Sequence, residues 1–357
     1  MTLRVLVRVD ASPAIGLGHA MRCLALVQVL RASGHDVVIA TLAMPETLRH
    51  QYHSLGVATQ DMASVMAGSA EDAASTEQIA YAHDVHWVVA DGYAFRLPWQ
   101  QQVRRGIAVI GARLALLDDE AKADAWDVDL LLNQNLGFAR EAYTDRAGAA
   151  TVLAGAQYVL LREEFRAMPR APRASVPVAR RLLITMGGAD PDNVTTQVVQ
   201  ALSALDDLEL RVVIGAANTH GRSIEAAVRD LPNTVTARVL AQVTDMPQQM
   251  QWADLAISAG GSTLWELAYM QLPALVVVLA ENQRGGASAC VAAGSIHELG
   301  DVDALHSSEI ARAVTALRMD QSQRDTMAQA GATLVDGLGA RRVMHALEAA
   351  SQVAATQ

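Results

Sequence analysis

LRVLVRVDASPAIGLGHAMRC, residues 3–23, decides the fold. It begins as an apolar run of strand length, passes through a turn holding Gly16 and Gly18, and continues as an apolar helix. The two glycines let backbone approach a ligand closely, and a helix start presents free N–H groups and about half a positive charge to an anion. His19 stands at this mouth, and Arg22 is counted with Gly16 and Gly18 among the substrate-binding candidates. Ligands of open α/β sheets bind just past the carboxyl ends of strands, which favours a functional reading. The plainer alternative is a glycine turn whose histidine caps the helix. A dinucleotide fingerprint is not present, because the third glycine is missing and Met21 follows Ala20, so a nicotinamide dehydrogenase is disfavoured.

Outward from this stretch, strand-length apolar runs alternate with helical periodicity: DVVIA from Asp36, WVVA from Trp87, IAVIG from Ile107 and DLLLN from Asp129. A second series starts at RLLITMGG from Arg181 and continues through LELRVVIG, NTVTARVL, DLAIS and PALVVVLA. Such alternation marks parallel, doubly wound sheets, and two Rossmann-like domains account for it. The predicted division is an N-terminal domain over residues 1–165, a linker rich in proline and arginine over 166–181, and a C-terminal domain over 182–357. After about residue 302 the chain reads as helices, with the last of them crossing back onto the first domain as a variant of that division.

The 357 residues are 51% hydrophobic and 18% charged, a globular balance. A net charge of -10 argues against a surface that tracks nucleic-acid phosphates, while leaving room for one basic pocket. Cys23 and Cys290 suggest neither a disulfide framework nor a thiolate metal cluster, and read as buried free thiols. The absence of a leader pattern at Leu3 and of membrane-length apolar runs predicts a cytoplasmic protein without membrane insertion.

A second strand, turn and helix is SAGGSTLWELAYMQLP, residues 258–273. Gly260 and Gly261 open the backbone, Ser262 and Thr263 offer hydroxyls, and the helix start completes a seat for a diphosphate. Glu266, one turn inside, is placed either to accept ribose hydroxyls or to help cap the helix. Further polar residues follow strands: Asp91 and Tyr93, Asp118 and Asp119, Asn133 and Asn135, the pair Gly187 and Gly188 in MGGAD, and Asn282 and Gln283 in AENQ. Each alone reads equally as a turn former or cap. The histidines show no HExxH or Cys/His cluster, and no G-x-S-x-G elbow occurs, so neither a metal, a cofactor nor a nucleophilic serine is expected.

The set DASPAIGLGHAMRC, DGY, NQN, LLREEF, GGADPDN, SAGGSTLWE and ENQ, spread from residue 4 to about 290, resembles the UDP-2,4-diacetamido-2,4,6-trideoxy-β-L-altropyranose hydrolases of pseudaminic acid biosynthesis and their spore-coat polysaccharide relatives. SAGGSTLWE carries a further likeness to the glycosyltransferase that builds lipid II. The resemblance implies a GT-B fold of two Rossmann-like domains facing across a cleft, with UDP held mainly by the C-terminal one. It implies His19 as general base on water, Tyr93 and Asn282 as setting the reacting geometry, Gly261, Ser262 and Thr263 on the diphosphate, and Glu266 on the ribose. Gln271 stands where such a motif usually has glycine before Leu-Pro, which disfavours a positive φ there. Hydrolysis of a UDP-sugar is thus the expected activity. A glycosyltransferase using a UDP-sugar donor, and a non-catalytic nucleotide-sugar-binding protein, are the alternatives. Oligomeric state is not legible.

Overall fold

The computed structural model describes residues 2–12, 14–63, 65–215, 217–241 and 243–355, so Pro13 of the first motif lies outside the described residues. The chain divides into two compact units, Met1–Glu163 with Gly337–Gln357, and Glu164–Asp336.

In chain order the first unit holds β1 (Arg4–Val9), α1 (Gly18–Ala32), β2 (Asp36–Thr41), α2 (Glu46–Ser54), β3 (Ala58–Asp61), α3 (Ala70–Ala82), β4 (Trp87–Asp91), α4 (Leu97–Ile107), β5 (Arg113–Leu117), β6 (Leu130–Asn133) and β7 (Thr151–Ala154). The short α5 (Glu163–Arg166) follows, and then the second unit: β8 (Arg181–Thr185), α6 (Val194–Leu202), β9 (Leu208–Ile214), α7 (Gly221–Arg229), β10 (Val235–Ala241), α8 (Met246–Trp252), β11 (Leu255–Ala259), α9 (Thr263–Tyr269), β12 (Ala274–Val278), α10 (Glu281–Ala292), β13 (His297–Asp301), α11 (Ser307–Met319) and α12 (Gln321–Leu334). The last helix is α13 (Gly339–Ala355).

The first sheet has the order β3-β2-β1-β4-β5-β6-β7 and the second β10-β9-β8-β11-β12-β13. All strand pairings are parallel, which explains central strands that are largely apolar: helices cover both faces. In the first unit Val5, Val7 and Val9 point into a core with α1, while Leu6 faces the other core with Val88 and Trp99. Strand order reverses between β1 and β4, and again between β8 and β11, and each reversal opens the place where such sheets bind ligands. The two motifs singled out in the sequence follow β1 and β11.

Three local expectations are corrected. IAVIG from Ile107 is not a strand: Trp99, Val103 and Ile107 are buried at a spacing of four, so helical periodicity runs through Ile107. Gly111 at φ +70° then ends the segment in the left-handed region, and β5 starts at Arg113. The C-terminal domain does not run to residue 357, because α13 buries Ala340, Val343, Met344 and Leu347 in the first unit's core beside Leu24 and Val27. Each of the larger side chains contributes roughly 1.5–3 kcal/mol by that burial. Gln271 does adopt a positive φ, +55°, closing α9 with Leu272 N–H bonded to Leu267 O at 3.0 Å. Its side-chain amide donates to Ala171 O at 3.1 Å, a bond that offsets part of the ~1–2 kcal/mol such a backbone costs.

The segment after α5 is held to the second unit rather than loose. Arg170 donates to the carbonyls of Ala332, Val335 and Asp336, and Arg173 to those of Met250, Gln251 and Met270. Burial depresses the Arg173 guanidinium to about 10.

Candidate functional site

In the first unit the loop after β1 makes a tight turn, with Gly16 N–H bonded to Ser12 O at 2.7 Å and Gly16 at φ +82°, a value that suits glycine. Gly18 then opens α1. His19 does not cap that helix. It lies inside it, and its Nδ1 sits 2.7 Å from Asp91 Oδ1 at the end of β4. Arg22, one turn on, brackets the same carboxylate with Nε 2.6 Å from Oδ2 and Nη2 2.7 Å from Oδ1. It also reaches Asp119, just past β5, at 2.6 and 3.0 Å. His19 and Arg22 are each 8% exposed and Asp91 1%.

Charge state follows from these partners. Burial pushes the Asp91 carboxyl up, but Arg22 and then His19 outweigh it and hold the group well below the usual carboxylate range. Asp119 is also lowered, burial being overcome by Arg22. Arg22, despite burial, is held above its ordinary value by Asp119 and Asp91. An ionised Asp91 only accepts hydrogen bonds, so the His19 nitrogen at 2.7 Å carries the proton. Arg22 Nη2 lies 3.1 Å from that same Nδ1, but its protons are directed to Asp91 and Asp119. Nε2 of neutral His19 therefore keeps its lone pair, the arrangement of a general base. Tyr93, half exposed, sets its ring at right angles to His19 with centroids 4.8 Å apart, and its hydroxyl donates to Asp119 Oδ2 at 3.3 Å.

Beside this group, Asn135 donates to Asp119 Oδ1 at 2.9 Å, and Asn133 orients Asn135 by accepting its N–H at 2.9 Å. Asn133 also donates to the Tyr143 hydroxyl at 2.7 Å, which donates in turn to Asp118 Oδ2 at 2.7 Å. Asp118 is raised by burial. Cys23 is buried with its thiol 3.5 Å from Asp91, and burial, then that charge, pushes it well up and leaves it inert. Cys290 is likewise buried and free.

In the second unit, Gly260, Gly261, Ser262 and Thr263 form the turn from β11 into α9. The Gln283 side chain lies against Gly260, where an added Cβ would stand 3.3 Å from Gln283 Cβ, and its carbonyl accepts Leu279 N–H at 3.0 Å. Ser262 makes no side-chain bond capping α9. Glu266 lies in the first turn of α9 and Asn282 in that of α10. Gly187, at φ +79°, and Gly188 lie in the turn just past β8, and Gly188 O accepts Ala217 N–H at 3.1 Å. The two backbones are packed tightly there: a Cβ on Gly215 would stand 2.3 Å from Gly188 O.

Thus the structure gathers His19, Arg22, Asp91 and Tyr93 in the first unit with Gly16 and Gly18 on the adjoining loop. It gathers Gly260 to Thr263 with Gln283 in the second. Among the described residues no group of three or more His, Cys, Asp or Glu is placed to hold a metal ion. No described helix is long and apolar enough to cross a membrane.

Two Rossmann-like units with parallel sheets, each carrying its glycine turn at the reversal of strand order, define a GT-B-like fold. Residues 182–340 match the glycosyltransferase family 28 C-terminal domain. The spore coat polysaccharide biosynthesis protein SpsG of Bacillus subtilis is 26% identical over 204 residues, 56% of this chain and 59% of that protein. A UDP-N-acetylglucosamine--N-acetylmuramyl-(pentapeptide) pyrophosphoryl-undecaprenol N-acetylglucosamine transferase of Lacticaseibacillus casei is 31% identical over 102 residues, 28% of each chain. The matches therefore span under two thirds of these curated relatives. In fold, the crystal structure of Acinetobacter baumannii MurG superposes with a TM-score of 0.68 at 16% identity, covering 98% of this chain and 99% of that one.

Proposed function

We propose that the chain is a nucleotide-sugar enzyme that moves a glycosyl group from UDP to an acceptor hydroxyl, with His19 as general base. The observation that carries this reading is the ionised Asp91 on His19 Nδ1, which leaves Nε2 free to take a proton at the carboxyl edge of the first sheet. In the proposed step the acceptor O–H gives its proton to Nε2 while its oxygen bonds to the anomeric carbon. The bond from that carbon to the diphosphate oxygen breaks, and UDP departs with the electron pair. Gly261, Ser262 and Thr263 are assigned to the diphosphate, Glu266 to the ribose, and Tyr93 and Asn282 to the geometry of attack. Support for UDP comes from the family 28 C-terminal match over residues 182–340 and from the Lacticaseibacillus relative, whose name specifies a UDP-N-acetylglucosamine donor.

A second reading keeps every role but makes water the acceptor, releasing a free diacetamido-trideoxy sugar. The combination of DASPAIGLGHAMRC with DGY and ENQ favours it, and it suits cytoplasmic assembly of a nonulosonate or surface polysaccharide. The test is UDP release from a panel of UDP-sugars with and without acceptor hydroxyls, with single turnovers in H₂¹⁸O. Release only with acceptor supports transfer. Release without it, with label at the sugar's anomeric hydroxyl, selects water. Label in the UDP phosphate would mean attack at phosphorus and would end both readings. Binding of UDP-sugars without any release leaves a non-catalytic binding protein.

A further inference from the structure

Asp119 ties together three members of the first unit's site: Arg22 at 2.6 and 3.0 Å, Tyr93 at 3.3 Å and Asn135 at 2.9 Å. It does not bond to His19 itself in the hydrogen bonds described. Yet its Oδ2 lies 3.0 Å from the Arg22 Nη2 that is 3.1 Å from His19 Nδ1, so Asp119 and the ring are no more than about 6 Å apart. Among the described residues, the titratable and charged groups facing His19 are Arg22 from its own helix, Asp91 and Tyr93 at the end of β4 and just past it, and Asp119 just past β5. With Asp91 and Asp119 ionised and Arg22 charged, this group carries one net negative charge while His19 is neutral. It becomes neutral when His19 takes a proton.

We propose that Asp119 is a positioning residue for the base: it pins Arg22 against Asp91 and supplies the surplus negative charge that favours the protonated ring formed during the reaction. Asn135, itself oriented by Asn133, keeps Asp119 in that pose. Without Asp119, Arg22 balances Asp91 alone, and proton uptake leaves a buried positive excess. The inference rests on His19 being the base. A purely structural Asp119 would matter for folding but not for the proton.

The test is Asp119→Asn, with Asp119→Glu as the conservative partner, read in two ways. Imidazole ¹⁵N NMR of His19 against pH needs no substrate: the titration midpoint in Asp119→Asn is expected roughly 0.5–2 pH units below that of the native protein, the range for one charge at about 6 Å across effective dielectrics of about 80 to 20. Where turnover is measurable, kcat falls and its acid limb moves the same way, and Asp119→Glu restores part of both. Folding is checked by circular dichroism, and Asn135→Ala gives a smaller shift of the same sign if Asp119→Asn alone proves unstable. An unmoved midpoint in folded Asp119→Asn or Asn135→Ala protein overturns the proposal. If the midpoint moves but His19→Asn leaves turnover intact, the functional reading fails while the electrostatic role of Asp119 stands.

Discussion

Asp91→Asn perturbs the site at its most buried point. Its carboxylate takes one short bond from His19 and two from Arg22, at 2.7, 2.6 and 2.7 Å, with a side chain that is 0% exposed. An amide offers one acceptor oxygen and turns an N–H donor toward a donor of Arg22 or His19. Breaking a buried ion pair from one side typically costs about 3–5 kcal/mol. Arg22 keeps Asp119, so the lower end, about 3 kcal/mol, is expected for the first unit. The proton on Nδ1 is no longer fixed, and a base in the wrong tautomer loses about 10²–10⁴ in rate. Urea unfolding followed by circular dichroism, together with UDP release, measures both. The pH dependence adds a signed check. A carboxyl lowered in the fold stabilises above its unfolded value near ~3.9, and that stability is lost as pH falls through the lower folded value. Asp119 acts in the same direction, whereas Asp118, raised by burial, favours the fold on the acid side and loses that contribution as pH rises. The difference between native protein and Asp91→Asn should therefore be full above about pH 4 and shrink below it. Native stability and turnover in the variant, or a difference that grows on acidification, would refute the reasoning.

His19→Asn should lower kcat by about 10²–10⁴ with UDP affinity near native by calorimetry, whereas a loss confined to thermal stability would make His19 structural. Glu266→Ala should weaken UDP binding by about 1–3 kcal/mol, and unchanged calorimetric affinity in folded protein would remove Glu266 from the ribose. Turnover should survive EDTA, since the sequence offers no ligand set for a metal; loss on chelation with recovery on adding Mg²⁺ would overturn that.

Most of the fold was legible because parallel, doubly covered strands are largely apolar, as in LVVV after Ala274; VLVRV after Arg4 departs from this only at Arg8, which is buried against Asp10 and Asp72. Where that condition fails the signal weakens, although the edge strand β10 (VTARVLA) was still legible in NTVTARVL. Strands β3 (ATQD) and β13 (HELGD) are edge strands, half exposed and polar, and carry no such run. The edge strand β7 (TVLA) is short and only partly buried. The fate of α13 was open for a different reason: its apolar stripe shows that it packs, and nothing in a stripe says against which core.

The site was legible as residues but not as a network. His19 stood out by its place after β1 and Tyr93 by the family resemblance, while Asp91, Asp119 and Asn135, each just past a strand, read equally as turn formers or caps. A sharper signal was present. His19 and Arg22 are three apart, so they share one face of α1, and a doubly wound order sets β4 beside β1 and β5 beside β4. A histidine and an arginine on that face must then meet whatever β4 and β5 carry at their carboxyl ends, which is Asp91 and Asp119. The Asp118–Asp119 pair follows the same geometry. Successive residues of an extended segment point to opposite sides. In the fold that alternation divides the two carboxylates between partners, Asp119 to Arg22 and Asp118 to Tyr143. Their opposite displacements follow from it: the carboxylate beside the guanidinium stays charged, and the one beside a phenol is pushed toward its neutral form by burial.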